Sequence, residues 1–212
     1  MSETGKRYRD VILALASAHK YGEGLGRLQM QKFIYLADSL SILCDLLSPE
    51  IGFQTYKHGP YDPAIQNAID VLMFRGVINI IRSAIKPDGT LTALYEISDS
   101  GLTIVKKMKN EPSFFRRAAL YNTIGTHVAK RGWGKLKDLV YSDATYVGRK
   151  VDGWGVPLNT NSLLSNDSLR ILLEFNNLVR NKDLKFSKEN IISIFFRILD
   201  NYLLIAKGES EN

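Results

Sequence analysis

The sequence predicts a mostly α (α+β) protein: a winged-helix-like N-terminal domain with a β-hairpin wing, followed by an α-helical C-terminal part. Three observations carry that prediction. Apolar residues recur at helical spacing through most segments. Two β-rich runs, 77–81 and 91–97, flank Lys86-Pro87-Asp88-Gly89, a strong turn signal. The first hundred residues run helix, helix, helix, hairpin, helix. The boundaries fall at 6–109 for the first domain and 110–206 for the second, with a flexible tail at 207–212.

The first helix is expected over 8–20, on the stripe Tyr8, Val11, Ile12, Leu15 and Ala16. Gly22, Gly24 and Gly26 then break the chain as an inter-helix turn. A second helix follows over 27–43, burying Leu28, Phe33, Ile34, Leu36, Leu40 and Leu43. Lys57-His58-Gly59-Pro60-Tyr61 reads as a turn. Asp62 is the expected N-cap and Pro63 the first residue of a third helix, where a missing N–H costs nothing. That helix carries Ile65, Ile69, Leu72 and Met73 and stops at Gly76. Tyr61 is placed to staple onto it near Gln66 or Asn67. After the hairpin, Ser98 and Asp99 cap a fourth helix, 101–109.

In the second half, 112–131 has helical spacing through Phe114, Ala118, Tyr121, Ile124 and Val128. Gly132-Trp133-Gly134 interrupts it and 135–141 is a short helix. Residues 142–165 read as irregular. Asn166 or Asp167 caps a helix to 180, and Ser187 caps the last one. The last helix is apolar nearly all round, so it is either a central strut or has one face docked on another chain.

Net charge is +6, but the first 106 residues are balanced at 11 basic and 11 acidic side chains. The excess lies at 106–150, with eleven cations against Glu111, Asp138 and Asp143. Candidate contacts to an anion or nucleic acid are Arg116, Arg117, Lys130, Arg131, Lys135, Lys137, Arg149 and Lys150. The same residues read equally as solvated helix faces. The third helix, which would enter a major groove, holds Asp62 and Asp70 with only Arg75 as a cation, so it is poor in groove-reading chemistry.

Leu28-Gln29-Met30-Gln31-Lys32-Phe33-Ile34-Tyr35-Leu36-Ala37-Asp38 resembles the Leu-x-x-x-Lys-Leu-x-Tyr-x-x-Asp helix of the Panacea (SocA-like antitoxin) domain. Residues 53–62, with Gly59-Pro60-Tyr61, are similar to that family's Gly-Pro-Tyr segment, and residues 72–78 resemble its Leu-x-x-x-Gly-Leu-Ile ending. The three blocks cover about half the chain. The further hundred residues depart from the minimal domain, and the longer form resembles the middle component of ABC-three-component, Lamassu-type defence systems. The resemblance implies a non-enzymatic accessory subunit that binds a protein from its own operon, a toxin, an effector or an SMC-like ATPase. Nucleic acid would be met directly or through that complex. The alternative is a winged-helix transcriptional regulator using the basic surface at 106–150.

Candidate partner contacts are His58, Gly59, Pro60, Tyr61, Trp133, Tyr146 and Trp154, since aromatics in loops are common interface anchors. No local pattern suggests catalysis, a cofactor or a metal: the three histidines are scattered and Cys44 stands alone in an apolar segment. The polar N-terminus and short apolar runs lead to the expectation of a cytoplasmic chain with no membrane partner.

Overall fold

The computed structural model describes residues 3–46, 52–158, 162–181 and 186–206; the expected tail at 207–212 lies outside them. The described chain is mostly helical, with one small three-stranded antiparallel sheet. In order the elements are α1 (Glu3–His19), β1 (Leu25–Gly26), α2 (Arg27–Leu40), α3 (Pro63–Phe74), β2 (Ile78–Ile85), β3 (Leu91–Ile97), α4 (Asp99–Met108), α5 (Pro112–Arg131), α6 (Leu136–Tyr141), α7 (Ala144–Lys150), α8 (Asp167–Asn181) and α9 (Lys188–Ala206). Short 3-10 turns extend α2 over Ser41–Cys44 and lead into α6 over Trp133–Lys135.

Local chemistry explains most boundaries. The Asp62 carboxylate accepts from Ala64 N at 2.8 Å, capping α3 ahead of Pro63. Ser98 caps α4 and Glu111 caps α5, again before a proline. Asn166 Oδ1 accepts from Leu169 N at 2.8 Å, and Ser187 Oγ from Asn190 N at 3.2 Å, at the starts of α8 and α9.

Two elements depart from expectation. The glycine-rich stretch expected as a plain turn ends in β1, which pairs with β3 (Leu25 opposite Tyr95) and makes β3 the central strand. A two-residue strand has no periodicity of its own; its ladder exists only because β3 lies beside it. Within the expected irregular stretch 142–165, α7 forms because Asp143 Oδ1 accepts from Tyr146 N at 2.8 Å.

The apolar core is continuous from α1 to α9. Helix α1 packs on α2, α3, α4, α5 and β3. Its contact with α5 is close: Ser17 Oγ donates to the Tyr121 carbonyl at 3.0 Å, and a Cβ at Gly125 would overlap Ser17 Oγ. Around Phe33, the rings of Tyr121 and Trp133 stand edge-on, each at 5.4 Å.

Inside this core lies a charge network. Arg7 donates to Asp38 (2.6 Å), Asp62 (2.7 Å) and Asp10 (3.3 Å). Arg117 donates through Nε and Nη2 to the two oxygens of Asp10, at 2.7 and 3.1 Å, and through Nη2 to Asp38 at 2.5 Å. These five residues are buried, and Arg9 adds a third cation at the edge, 3.3 Å from Asp10. Three cations thus face three carboxylates. The network joins α1, α2, the start of α3 and α5.

Helix α9 buries one face through Ile191, Ile192 and Phe196, the last stacked on His127 of α5 at 4.7 Å. Its Ile198 and Tyr202 are exposed, and with Leu36, Leu139, Ile171 and Phe195 they border an apolar cavity of about 380 Å³.

Candidate functional site

The Gly59-Pro60-Tyr61 turn gathers side chains from three stretches of the chain. It is closed by a backbone pair between Gln54 and Tyr61 (N to O 2.9 and 3.0 Å) and by Gly59 N donating to the Tyr56 carbonyl at 3.1 Å. Its exit is gripped by Gln31 of α2, whose amide donates to the Asp62 carbonyl and accepts from Asp62 N, both at 2.9 Å. Asp62 then enters the buried charge network, so the turn is anchored in the core of the molecule.

Gly59 sits at φ +106°, in the region that favours glycine. A Cβ there would also lie 2.9 Å from Cε1 of Tyr141. The backbone therefore approaches Tyr141 as closely as only glycine allows. Beneath it, Lys32 Nζ donates to the His58 carbonyl at 2.7 Å and lies 5.3 Å from the centre of the Tyr141 ring. Burial, then the charge of Lys137, brings the Lys32 ammonium down to a pKa of about 8.

The segment 153–158 is sewn to the same turn. Thr55 N donates to the Val156 carbonyl, Gly155 N to the Thr55 carbonyl and Leu158 N to the Phe53 carbonyl, each at 2.8 Å. Thr55 Oγ1 donates to the Gly153 carbonyl at 2.7 Å. Trp154 is carried out between these bonds and is 55% exposed. From α7, Tyr146 donates to the Tyr56 carbonyl at 3.2 Å and stacks on Tyr141 at 5.9 Å. The result is a surface on which Tyr56, His58, Tyr141 and Trp154 are exposed around one rigid turn.

Among the expected partner contacts, His58, Gly59, Pro60, Tyr61, Tyr146 and Trp154 belong to this region. Gly59, Pro60 and Tyr146 are buried and support it rather than face outward. The Tyr61 ring tilts against Tyr56 at 5.1 Å, and its backbone pairs with Gln54. Trp133 is not at this surface: it is a core residue packed on Phe33.

The basic candidates separate in the same way. Arg117 is 2% exposed and spent on Asp10 and Asp38, so it presents no charge to an outside anion. Arg131 pairs with Asp200, donates to the Phe196 carbonyl at 3.0 Å and covers the Phe196 ring, all on α9. Arg149 faces Asp152 at 3.7 Å. Arg116, Lys130, Lys135, Lys137 and Lys150 remain exposed. The α3 carboxylate Asp70 is paired with Arg27 at 2.5 Å.

Lys32 enters the sequence reading as the fixed lysine of the Panacea-like helix and Tyr56 as part of the 53–62 segment, but neither is named there as a site residue. Burial raises the Cys44 thiol to about 11, which keeps it protonated. Among the described residues no three His, Cys, Asp or Glu side chains come together as a metal set, and no helix is long and apolar enough to cross a membrane. No family model matches the chain, and a search of curated proteins finds no match.

Proposed function

We propose that this chain is a non-enzymatic adaptor that binds a partner protein from its own operon through the surface around the Gly59–Pro60 turn. The observation that carries this reading is the convergence of exposed Tyr56, His58, Tyr141 and Trp154 on a turn held by backbone bonds from two other segments. Exposed rings on a rigid frame lose little conformational freedom on binding, which is why such residues dominate interface energetics. The order α1, α2, α3, β2–β3 hairpin and α4 supports a winged-helix scaffold, with β1 as the third strand. Two of the three Panacea-like blocks supply α2, with Lys32, and the turn itself; Tyr141 and Trp154 come from outside them. A toxin, an effector or an SMC-like ATPase of a defence system is the class of partner this reading expects.

The test is co-expression with the products of the genes beside its own, followed by purification of any complex. A stable complex weakened by Tyr141→Ala or Trp154→Ala supports the reading. The absence of a complex, or a complex indifferent to both substitutions, refutes it.

A second reading, a DNA-binding regulator, draws on the exposed Arg116, Lys130, Lys135, Lys137 and Lys150. It expects duplex affinity that falls steeply with salt and drops when Lys130, Lys135 and Lys137 are neutralised together. Affinity unchanged by that triple substitution removes it.

A further inference from the structure

The turn at Gly59 closes over a lysine that makes no ion pair among the described residues. Lys32 is 6% exposed, yet its ammonium makes a single protein hydrogen bond, to the His58 carbonyl. An ammonium has three N–H donors, so two of them have no acceptor among the described residues. Among the described residues Lys32 makes no ion pair, and the charge that acts on it is that of a second cation, Lys137 of α6. Lys137 is exposed and makes no ion pair among the described residues. A desolvated cation without a counter-charge is costly, and a second cation beside it raises that cost. Elsewhere the chain avoids this arrangement: the buried Arg7 and Arg117 each face carboxylates. Beside Lys32 stands Tyr141, an exposed ring whose hydroxyl has no partner among the described residues.

We infer that the Lys32–Lys137 pair beneath the Gly59–Pro60 turn is a binding site for a phosphate group, carried either by free orthophosphate or by a mononucleotide. The choice of phosphate follows from charge and shape. Near neutral pH a phosphate carries between one and two negative charges, more than the single charge of a carboxylate, and so suits two lysines better. Its several oxygens accept from two ammonium groups and a tyrosine hydroxyl together, and lysine serves phosphate as a point charge. In the mononucleotide case, the exposed part of the Tyr141 ring offers the base an apolar contact. The site does not depend on the adaptor reading. A phosphate-binding chain that forms no protein complex leaves this inference standing, and a protein complex indifferent to phosphate leaves the other standing.

Isothermal titration of the full chain near pH 7, at ionic strength held constant with sodium chloride, tests it with three probes: sodium phosphate, AMP and sodium acetate. Saturable one-to-one binding of phosphate is expected. Loss of a charge-assisted contact in Lys32→Met should weaken it roughly tenfold or more. Lys137→Met, on the surface, should weaken it several-fold and keeps the test valid if Lys32→Met does not fold. AMP binding tighter than phosphate, with the difference erased by Tyr141→Ala, assigns the mononucleotide; equal affinities assign orthophosphate. The inference is overturned if neither phosphate nor AMP binds saturably, if acetate binds as well as phosphate, or if both lysine substitutions leave binding unchanged.

Discussion

Replacing Arg117 by Met removes one of three cations from the buried network and leaves Asp10, Asp38 and Asp62 facing Arg7 and Arg9. Three charge-assisted hydrogen bonds vanish, at 2.7, 3.1 and 2.5 Å, and two buried carboxylates lose a principal partner. Breaking a buried pair from one side costs about 3–5 kcal/mol, because the stranded charge stays desolvated. A domain's whole stability is about 5–15 kcal/mol. With a urea slope of about 2–3 kcal/mol per molar for a chain of this size, the midpoint should fall by roughly 1–2.5 M. Urea unfolding followed by circular dichroism and by tryptophan fluorescence measures this and checks that the two probes coincide. Adding Asp10→Asn removes a negative charge as well, so the double variant should recover part of the loss. The acid limb gives a second reading. Burial works to raise the Asp10 pKa, but Arg117, Arg9 and Arg7 hold it below its ordinary 3.8. A carboxylate with a depressed folded pKa contributes stability above its unfolded value and loses it as pH falls through the folded one. The wild type should therefore weaken below about pH 4. In Arg117→Met the Asp10 pKa moves upward and the deficit should narrow as pH falls. A loss under about 1 kcal/mol, the size of an exposed ion pair, would refute the reasoning.

Other outcomes follow from single contacts. Gly125→Ala places a methyl against Ser17 where α1 and α5 touch, and should cost about 1–3 kcal/mol in the same urea assay. Asp143 has the opposite sign to Asp10: burial raises its pKa, although Tyr35 and the α7 backbone donate to it. Asp143→Asn keeps an N-cap oxygen and removes the buried charge, so stability at pH 7 should change by less than about 1 kcal/mol or rise, and a larger loss would count against it. For Lys32 the folded pKa of about 8 lies below the ordinary 10.5, so the folded state binds fewer protons between those values. Stability should rise as pH goes from 8 to 10.5, and Lys32→Met should flatten that rise in urea midpoints taken across the range.

What the sequence made legible was local. Asp62-Pro63 and Ser98 mark helix starts through bonds spanning two or three residues, so a reader of the chain can see both ends of each interaction; the Glu111 cap of α5 is equally local but was not read. The turn at Gly59 was legible for the same reason. Arg117 was not: its partners are 107 and 79 residues away, and in sequence it is one more cation in a basic run. Trp133 failed similarly, because nothing beside it announces Phe33. Strand β1 needed Tyr95 and Leu94 to exist at all. The convergence of the 153–158 segment on Thr55 also lies beyond periodicity, since it is built from backbone pairs between two irregular segments.

The span between Asp10 and Arg117 also bears on how the chain is made. Synthesis proceeds from the N-terminus, and at about 5–20 residues per second the 107 intervening residues take roughly 5–20 s to emerge. For most of that interval α1 and α2 have been made, and Asp10 and Asp38 have Arg7 but lack Arg117. The nascent N-terminal half is thus held back from closing its core until α5 arrives. A stalled chain that ends before residue 117 should be protease-sensitive, and one that has exposed α5 should become resistant in a single step.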